Sequence, residues 1–266
     1  MSELAFDAFE REMWTDRAAA FGASFALLCA GAAPALLDAA GVTVGTKVLD
    51  VGTATGTVAR LAQQRGAIVS AIDAERSMVE ATRVFIPDVR HGRLPDLRFI
   101  DATFDVAVAN FVVNHVGDPL AAIRGMRRVI RPGGTIAVTI WPTPSPTSSL
   151  AGAAVAAAGV VPPPAPRLEP EHDFTRTTDG LGDLLTRAGL TDVTTRLFRW
   201  EHRTDPEVWW SGSAGGVGAI GHAVTSQTPE VIAKIKQEYD RLAADYLDSD
   251  GLLRLPTSAV LATGRV

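Results

Sequence analysis

Apolar positions recur in two rhythms along this chain, and the change of rhythm marks out its parts. Near the start, Phe6, Phe9, Met13, Phe21, Phe25 and Leu28 fall at three- and four-residue intervals. That spacing predicts helices over residues 1–40. From residue 47 the pattern becomes short continuous apolar runs: Lys47–Val51, Ala67–Ile72, Phe104–Ala109 and Thr135–Ile140. Runs of this length without alternation predict strands buried on both faces. Between them lie helical stretches at Thr57–Arg65, stopped by Gly66, at Glu75–Val84, and at Leu120–Ile130. Strands alternating with helices predict a parallel sheet with right-handed crossovers.

After Trp141 the pattern is interrupted, because eight of the sixteen prolines lie between positions 141 and 170. Within this excursion an alanine-rich helix is expected over Ser149–Ala158, with Ser148 or Ser149 as its N-cap and Gly159 as its stop. Leu181–Ala188 resumes a helix ended by Gly189, and Val193–Trp200 alternates as a strand. Thr204-Asp205-Pro206-Glu207 and Thr228-Pro229-Glu230 are helix starts, with a cap residue ahead of proline and acid in the first turn. The second leads into an amphipathic stripe of Ile232, Ile235, Tyr239, Leu242 and Tyr246. Ser258–Val266 is the last strand. Gly212, Gly215, Gly216, Gly218 and Gly221 suggest a movable part, a lid that excludes water.

Composition narrows the class. A chain of 266 residues suits one domain or one domain plus a cap. A net charge of -5 lacks the broad positive field of a nucleic-acid binder, so no nucleic-acid partner is expected. Arg124, Arg127, Arg128 and Arg131 share a helix face, read either as a solvated face or as a patch for an anionic partner. Cys29, the only cysteine, permits neither an internal disulfide nor a cysteine-based metal cluster. The first residues are acidic rather than basic, unlike a signal peptide. The apolar stretch 18–40 is broken by Gly22, Gly31 and Pro34, so it reads as packed helices and not a membrane span. A cytoplasmic protein with no membrane partner is expected; its oligomeric state stays open.

The chemistry concentrates in Val48-Leu49-Asp50-Val51-Gly52-Thr53-Ala54-Thr55-Gly56-Thr57. Small residues after a buried strand let a ligand approach the backbone closely, and an open sheet places that ligand beyond the strand's carboxyl end. Asp73 ends the next strand, where a carboxylate is placed to accept from ribose hydroxyls. The nicotinamide fingerprint fits poorly, since its glycine positions hold Gly52, Ala54 and Thr57. The segment instead resembles motif I of class I S-adenosylmethionine-dependent methyltransferases. Three later pieces resemble that family in order: Asp101-Ala102-Thr103-Phe104-Asp105, Asn114-His115-Val116-Gly117-Asp118-Pro119-Leu120, and Arg128-Val129-Ile130-Arg131-Pro132-Gly133-Gly134. The resemblance spans roughly residues 42–142 and is nearest the small-molecule branch that includes quinone-biosynthesis methyltransferases.

The resemblance implies an α/β, Rossmann-like, seven-stranded and mostly parallel sheet with an antiparallel C-terminal strand. It implies an N-terminal helical lid at 1–40, an S-adenosylmethionine-binding core at 41–142, and at 143–266 a cap insertion followed by completion of the sheet. S-adenosyl-L-methionine is the implied cofactor, held by Asp50, Gly52, Thr53, Ala54, Gly56, Asp73, Ala74, Met78, Arg93, Leu94 and Asn110. Two positions depart from the family pattern. Ala54 replaces the middle glycine of motif I. Gly92-Arg93-Leu94 stands where the family often has Gly-Asp-Ala, and arginine cannot accept a hydrogen bond from the adenine amine. Either a backbone carbonyl reads the adenine, or Arg93 stacks on the ring, or the site is altered, or Arg93 is a surface residue.

The implied function is methyl transfer to an O, C or N atom of a small-molecule substrate. The alternative is a non-methylating enzyme on the same fold, such as a cyclase or pericyclase, because fold does not fix function. Methyl transfer depends mainly on holding the reactants in line, and a base within reach suffices for acidic acceptors. His115 and His172 are the catalytic candidates, with Asp173 as a possible orienting partner of His172. His115 is read alternatively as a wall of the cofactor pocket. His202 and His222 read as surface or cap residues, and Trp14, Phe21 and Phe25 as a core stripe or a closure over the ligands. No Asn/Asp-Pro-Pro-aromatic motif follows the Phe104–Ala109 strand, where the chain reads Asn110-Phe111-Val112-Val113, so adenine-amine methylation is excluded. Cys29 is misplaced for cytosine C5 chemistry, and no carboxylate spacing suits magnesium; no metal is expected. The acceptor crevice is expected between the N-terminal helices and residues 141–222.

Overall fold

The computed structural model describes residues 5–143, 149–162, 164 and 166–266. The predicted alternation is realised as β1 (Lys47–Val51), α5 (Thr57–Gln64), β2 (Ile68–Asp73), α6 (Arg76–Arg83), β3 (Val89–His91), β4 (Phe104–Asn110), α7 (Pro119–Val129) and β5 (Ile130–Ile140). Ahead of it lie α1 (Ala5–Trp14), α2 (Ala18–Ala23), α3 (Phe25–Ala30) and α4 (Ala33–Ala39). After it come α8 (Ser149–Ala157), α9 (Thr178–Arg187), β6 (Thr191–Thr204), α10 (Pro206–Ala214), α11 (Gly218–Thr225), α12 (Pro229–Ala243) and β7 (Leu253–Arg265). The expected cap Ser148 lies outside the described residues.

Among the described residues the seven strands form one sheet in the order β3-β2-β1-β4-β5-β7-β6. The pairs β1–β2, β1–β4, β2–β3 and β4–β5 are parallel, and β7 runs antiparallel to both β5 and β6. β3 has only three residues, too few to show a rhythm in the sequence. Pro132-Gly133-Gly134, expected to be a turn before β5, is a bulge inside it, where the β4 partner shifts from Ile130 to Thr135.

Strand residues alternate between two apolar layers. Leu49, Val51, Ala107 and Ala109 face a core with Ile123, Met126, Leu181 and Leu184 from α7 and α9. Val48, Val106 and Val108 face Leu36, Leu37, Val58 and Ala62 from α4 and α5. A third cluster, with Leu150, Trp209, Trp210, Ile235 and Tyr239, joins α8, α10 and α12 over Leu253 and Leu255 of β7. Tyr239 is fully buried and its hydroxyl donates to Pro206 O at 2.8 Å.

Of the two helix starts expected from the sequence, Asp205 caps α10 with its side chain whereas Thr228 ahead of α12 makes no side-chain cap hydrogen bond, and Asp118 adds a cap at α7. Asp118 accepts from Ala121 N at 2.8 Å at the start of α7, and Asp205 accepts from Glu207 N at 2.7 Å at the start of α10. The arginine row is exposed, as a solvated face would be, with Arg124, Arg127 and Arg128 on α7 and Arg131 at the start of β5. Arg124 and Arg127 donate to the carbonyls of Arg187 and Gly189, Arg128 to those of Leu97 and Phe99, and Arg131 to Asp105. The glycines read as a movable lid serve packing and turns. A Cβ on Gly212 would meet Ser24 Oγ at 2.5 Å, and one on Gly215 would meet Ala20 Cβ at 2.5 Å, so both let α10 dock on α2 and α3. Gly216 and Gly218, at φ 78° and 64°, turn the chain from α10 into α11. No helix among the described residues is long and apolar enough to cross a membrane.

Candidate functional site

The carboxyl ends of β1, β2 and β4 open into a cavity of about 1150 Å³. The β1–α5 loop forms its floor. Gly52 and Thr53 both donate their N–H to Ile72 O, at 2.8 and 3.1 Å, which ties the loop to β2. Gly52 has φ 65°, and a Cβ there would meet Val112 Cγ2 at 2.5 Å. The residue must therefore be glycine both for conformation and for space. Ala54, at φ 49°, holds the same left-handed region with a methyl group. That costs about 1–2 kcal/mol, and two hydrogen bonds hold it there: Ala54 N donates to Asp73 Oδ2 at 2.8 Å, and Thr82 Oγ1 donates to Ala54 O at 2.7 Å. Gly56, at φ 83°, ends the turn against Thr82 and stays outside the cavity wall. It makes the turn into α5, whose N-cap it is.

Asp50 and Asp73 give the cavity its charge. Asp50 Oδ2 accepts from Thr53 Oγ1 at 2.7 Å and from Ala59 N at 3.1 Å. Burial nevertheless pushes its carboxyl up to about 7. Asp73 accepts from Ala54 N and, at 2.9 Å, from Glu75 N, and burial pushes it up to about 6. Among the described residues neither carboxylate makes an ion pair, and both line the cavity. Ala74 and Met78 line the wall beside Asp73, and Leu94 the wall opposite. Arg93 is an exposed wall residue at the rim.

The far end of the cavity is aromatic. Phe111 and Trp141 stack with centroids 3.7 Å apart, and Trp14 meets Phe21 edge-on at 5.7 Å. Phe25, Ala26 and Cys29 continue the wall. Burial pushes the Cys29 thiol up to about 12, so it is an apolar wall residue and not a nucleophile. Asn110 accepts from Thr139 Oγ1 at 2.6 Å and donates to Cys29 O at 3.1 Å. It thereby fastens the end of β4 to α3.

Both candidate histidines border this space, and each faces a carboxylate the sequence did not single out. His115 Nδ1 lies 2.9 Å from Glu10 Oε2. His172 Nδ1 lies 3.5 Å from Asp118 Oδ2, whereas Asp173, its expected partner, pairs with Arg176 instead. His202 is not a surface residue: it is buried beside Trp209, and burial lowers its basicity. Glu10 did leave a trace in the sequence. It sits four residues after Phe6 and three before Met13, on the buried stripe of α1, where a charged residue needs a partner. α1 is further held by Asp7 Oδ1, which accepts from Gly117 N at 2.6 Å.

Comparison with known proteins places this architecture. Residues 49–138 match the family model described as methyltransferase domain. A ubiquinone/menaquinone biosynthesis C-methyltransferase from Geobacter sp. is 36% identical over 116 residues, covering 40% of this chain and 49% of that protein. A demethylmenaquinone methyltransferase from Renibacterium salmoninarum is 32% identical over 112 residues, 41% of this chain and 47% of that one. The chain thus spans about half the length of these curated relatives. Among solved structures, the YcgJ protein of Bacillus subtilis has TM-score 0.54 at 17% identity, covering 88% of this chain and 97% of that one. A protein of Anabaena variabilis, described as a methyltransferase from an antibiotic biosynthesis pathway, has TM-score 0.59 at 16% identity, covering 88% and 96%. Residues 49–138 thus match a methyltransferase domain, and the seven-stranded sheet with its antiparallel β7 has the fold of these solved structures.

Proposed function

We propose that this protein transfers a methyl group from S-adenosyl-L-methionine to a small molecule. The observation that carries the reading is the single cavity that runs from the carboxylates at β1 and β2 to the aromatic wall. Its volume of about 1150 Å³ exceeds the roughly 300–1,000 Å³ of a one-ligand pocket. Space for two ligands side by side is what group transfer needs.

The residues present fit the cofactor. Asp73 retains lone pairs for two ribose hydroxyls after accepting from Ala54 N and Glu75 N. Gly52 presents bare backbone to the cavity, and Thr53, Ala54, Ala74, Met78, Leu94 and Asn110 shape the walls around it. Asp50 and Asp73 supply negative charge that a sulfonium ligand complements, relieving the penalty of their burial. Arg93, a lining residue of the cavity, carries the planar cation that would stack on an adenine ring. When bound, the cofactor supplies an activated methyl group. The protein's contribution is orientation and exclusion of water, the latter through α1 and the aromatic wall. Residues 1–40 serve as the cover, 41–142 as the cofactor-binding core, and 143–266 as the cap and the completion of the sheet.

The test is calorimetry with S-adenosylhomocysteine. The wild-type protein binds it, and Asp73→Ala weakens binding at least about tenfold, since a hydrogen bond to a charged group is worth roughly 1.5–3 kcal/mol. Circular dichroism checks that the variant is folded. Unchanged affinity would remove Asp73 from the site.

A further inference from the structure

We propose that Glu10 and His115 form a proton-accepting pair in the acceptor subsite, and that the acceptor group is a hydroxyl on a planar aromatic scaffold. The inference rests on the methyltransferase reading above and deepens it.

The pair is built from two distant parts of the chain. His115 sits on the single helical turn Val113–His115 after β4, held there by its own N–H donating to Val112 O at 2.8 Å. Glu10 comes from α1, 105 residues earlier, and is only 9% exposed. A carboxylate can only accept, so the 2.9 Å contact from Glu10 Oε2 to Nδ1 requires Nδ1 to carry the proton. Neutral His115 then has its lone pair on Nε2, which makes no hydrogen bond with the described residues and belongs to a side chain lining the cavity. Glu10 is itself fixed: Trp14 Nε1 donates to the same oxygen at 3.1 Å, and the Trp14 ring meets the His115 ring edge-on at 5.4 Å. An imidazolium formed at His115 would be stabilised by a half-enclosed carboxylate rather than by water.

The scaffold follows from the wall. Trp14 lies against the pair, and Phe21, Phe25, Phe111 and Trp141 line the same cavity with flat apolar surface, which suits an aromatic ring better than a branched or charged molecule. A hydroxyl suits the pair better than an alkylammonium. The nearby carboxylates are already engaged, Asp7 by Gly117 N, Glu10 by His115 and Trp14, and Asp118 by Ala121 N and His172. A cationic acceptor would lose its hydration among the rings without equal compensation. In the reaction the hydroxyl proton moves to His115 Nε2. The oxygen's electron pair forms the new bond to the methyl carbon as the carbon–sulfur bond breaks, and that bond's pair stays on sulfur. Glu10 touches no reacting atom and is a positioning residue.

The experiment uses 4-nitrophenol, whose ionisation is visible by absorbance, with the wild-type protein, His115→Ala and Glu10→Gln. At a pH about one unit below the probe's own pKa, wild type raises the phenolate fraction of bound probe. His115→Ala abolishes that rise, and Glu10→Gln reduces the proton-transfer constant roughly tenfold or more, as loss of a charged hydrogen-bond partner predicts. All three proteins keep the same affinity for S-adenosylhomocysteine. In a release assay for S-adenosylhomocysteine, naphthols turn over and naphthylmethylamines of matching size do not, and His115→Ala lowers kcat by about 10²–10⁴. A phenolate signal absent from wild type, or equal in His115→Ala, overturns the proposal, as does turnover of the amines alone. Failure of wild type to bind S-adenosylhomocysteine removes the methyltransferase reading itself.

Discussion

The two ends of the cavity, proposed above to hold the cofactor and the acceptor, are built by opposite strategies. At the cofactor end the backbone sets the shape, with Gly52 and Ala54 at positive φ and the turn tied to Ile72 O, and the side chains of Asp50 and Asp73 from the adjoining strand ends supply the charge and a further tie. At the acceptor end, side chains from α1, α3, β4 and β5 meet across the chain, and contacts such as Glu10–His115 and Asn110–Cys29 span 105 and 81 residues. One end is specified by conformation and the other by volume. A conformational site tolerates almost no change of residue type, whereas a volumetric one can be re-cut by compensating substitutions. The same contrast separates a fixed ligand from a variable one.

Two glycines sharpen the comparison. Gly52→Ala should cost roughly 2–5 kcal/mol, combining left-handed strain with the overlap on Val112. Adding Val112→Ala should recover only the overlap, leaving about 1–2 kcal/mol of backbone strain. Urea unfolding of the single and double variants measures both parts, and full recovery would show that conformation plays no role there. The buried charge at the same end gives the next largest effect. Asp50 has a folded pKa of about 7 against an ordinary 3.8, so the folded state holds more protons than the unfolded state between those values. The stability of the ligand-free protein therefore falls as pH rises from about 4 to 7. Asp50→Asn, whose amide oxygen still accepts from Thr53 and Ala59, should stabilise the ligand-free protein at pH 8 by on the order of 2–4 kcal/mol and be neutral at pH 4. Thermal melts at the two pH values check this; a destabilised variant at pH 8 would mean Asp50 has a counter-charge. Beside the aromatic wall, where Trp200 lies against Phe111 and Trp141, Gly31 has φ -60°, yet a Cβ there would meet Trp200 Nε1 at 2.3 Å. Gly31→Ala should cost roughly 1–3 kcal/mol, and the smaller ring of Trp200→Phe should restore most of it. A cycle showing no coupling would remove volume as the reason for glycine.

This division also explains what the sequence revealed. Six of the strands and their alternation with helices could be read from apolar runs, from the alternation at Val193–Trp200 and from helix stops, because those signals are local, whereas the antiparallel strand followed from the family resemblance. Asp50, Gly52, Ala54 and Asp73 were legible for the same reason, each lying at a strand end or in the turn after it. β3 was not, since Val89–His91 is too short to carry a rhythm. Glu10 and Asp118 escaped because their partners are fixed only by the docking of α1 and of the segment around His172. The glycines at 212 and 215 suggested motion, since sequence alone does not distinguish a glycine that bends from one that makes room for Ser24 or Ala20.

The placement of β7 bears on how the chain is made. Residues 253–265 slot between β5 and β6, which cannot pair with each other in their native positions without them. While the protein emerges from the ribosome, the sheet through β5 can assemble, but β5 keeps an open edge and β6 has nothing to join. That edge is a template for other strands, and it stays uncovered until the segment 253–265 arrives. Any nascent chain stalled before residue 253 would thus carry a finished cofactor end beside an adhesive margin, the kind of intermediate that chaperones exist to shield.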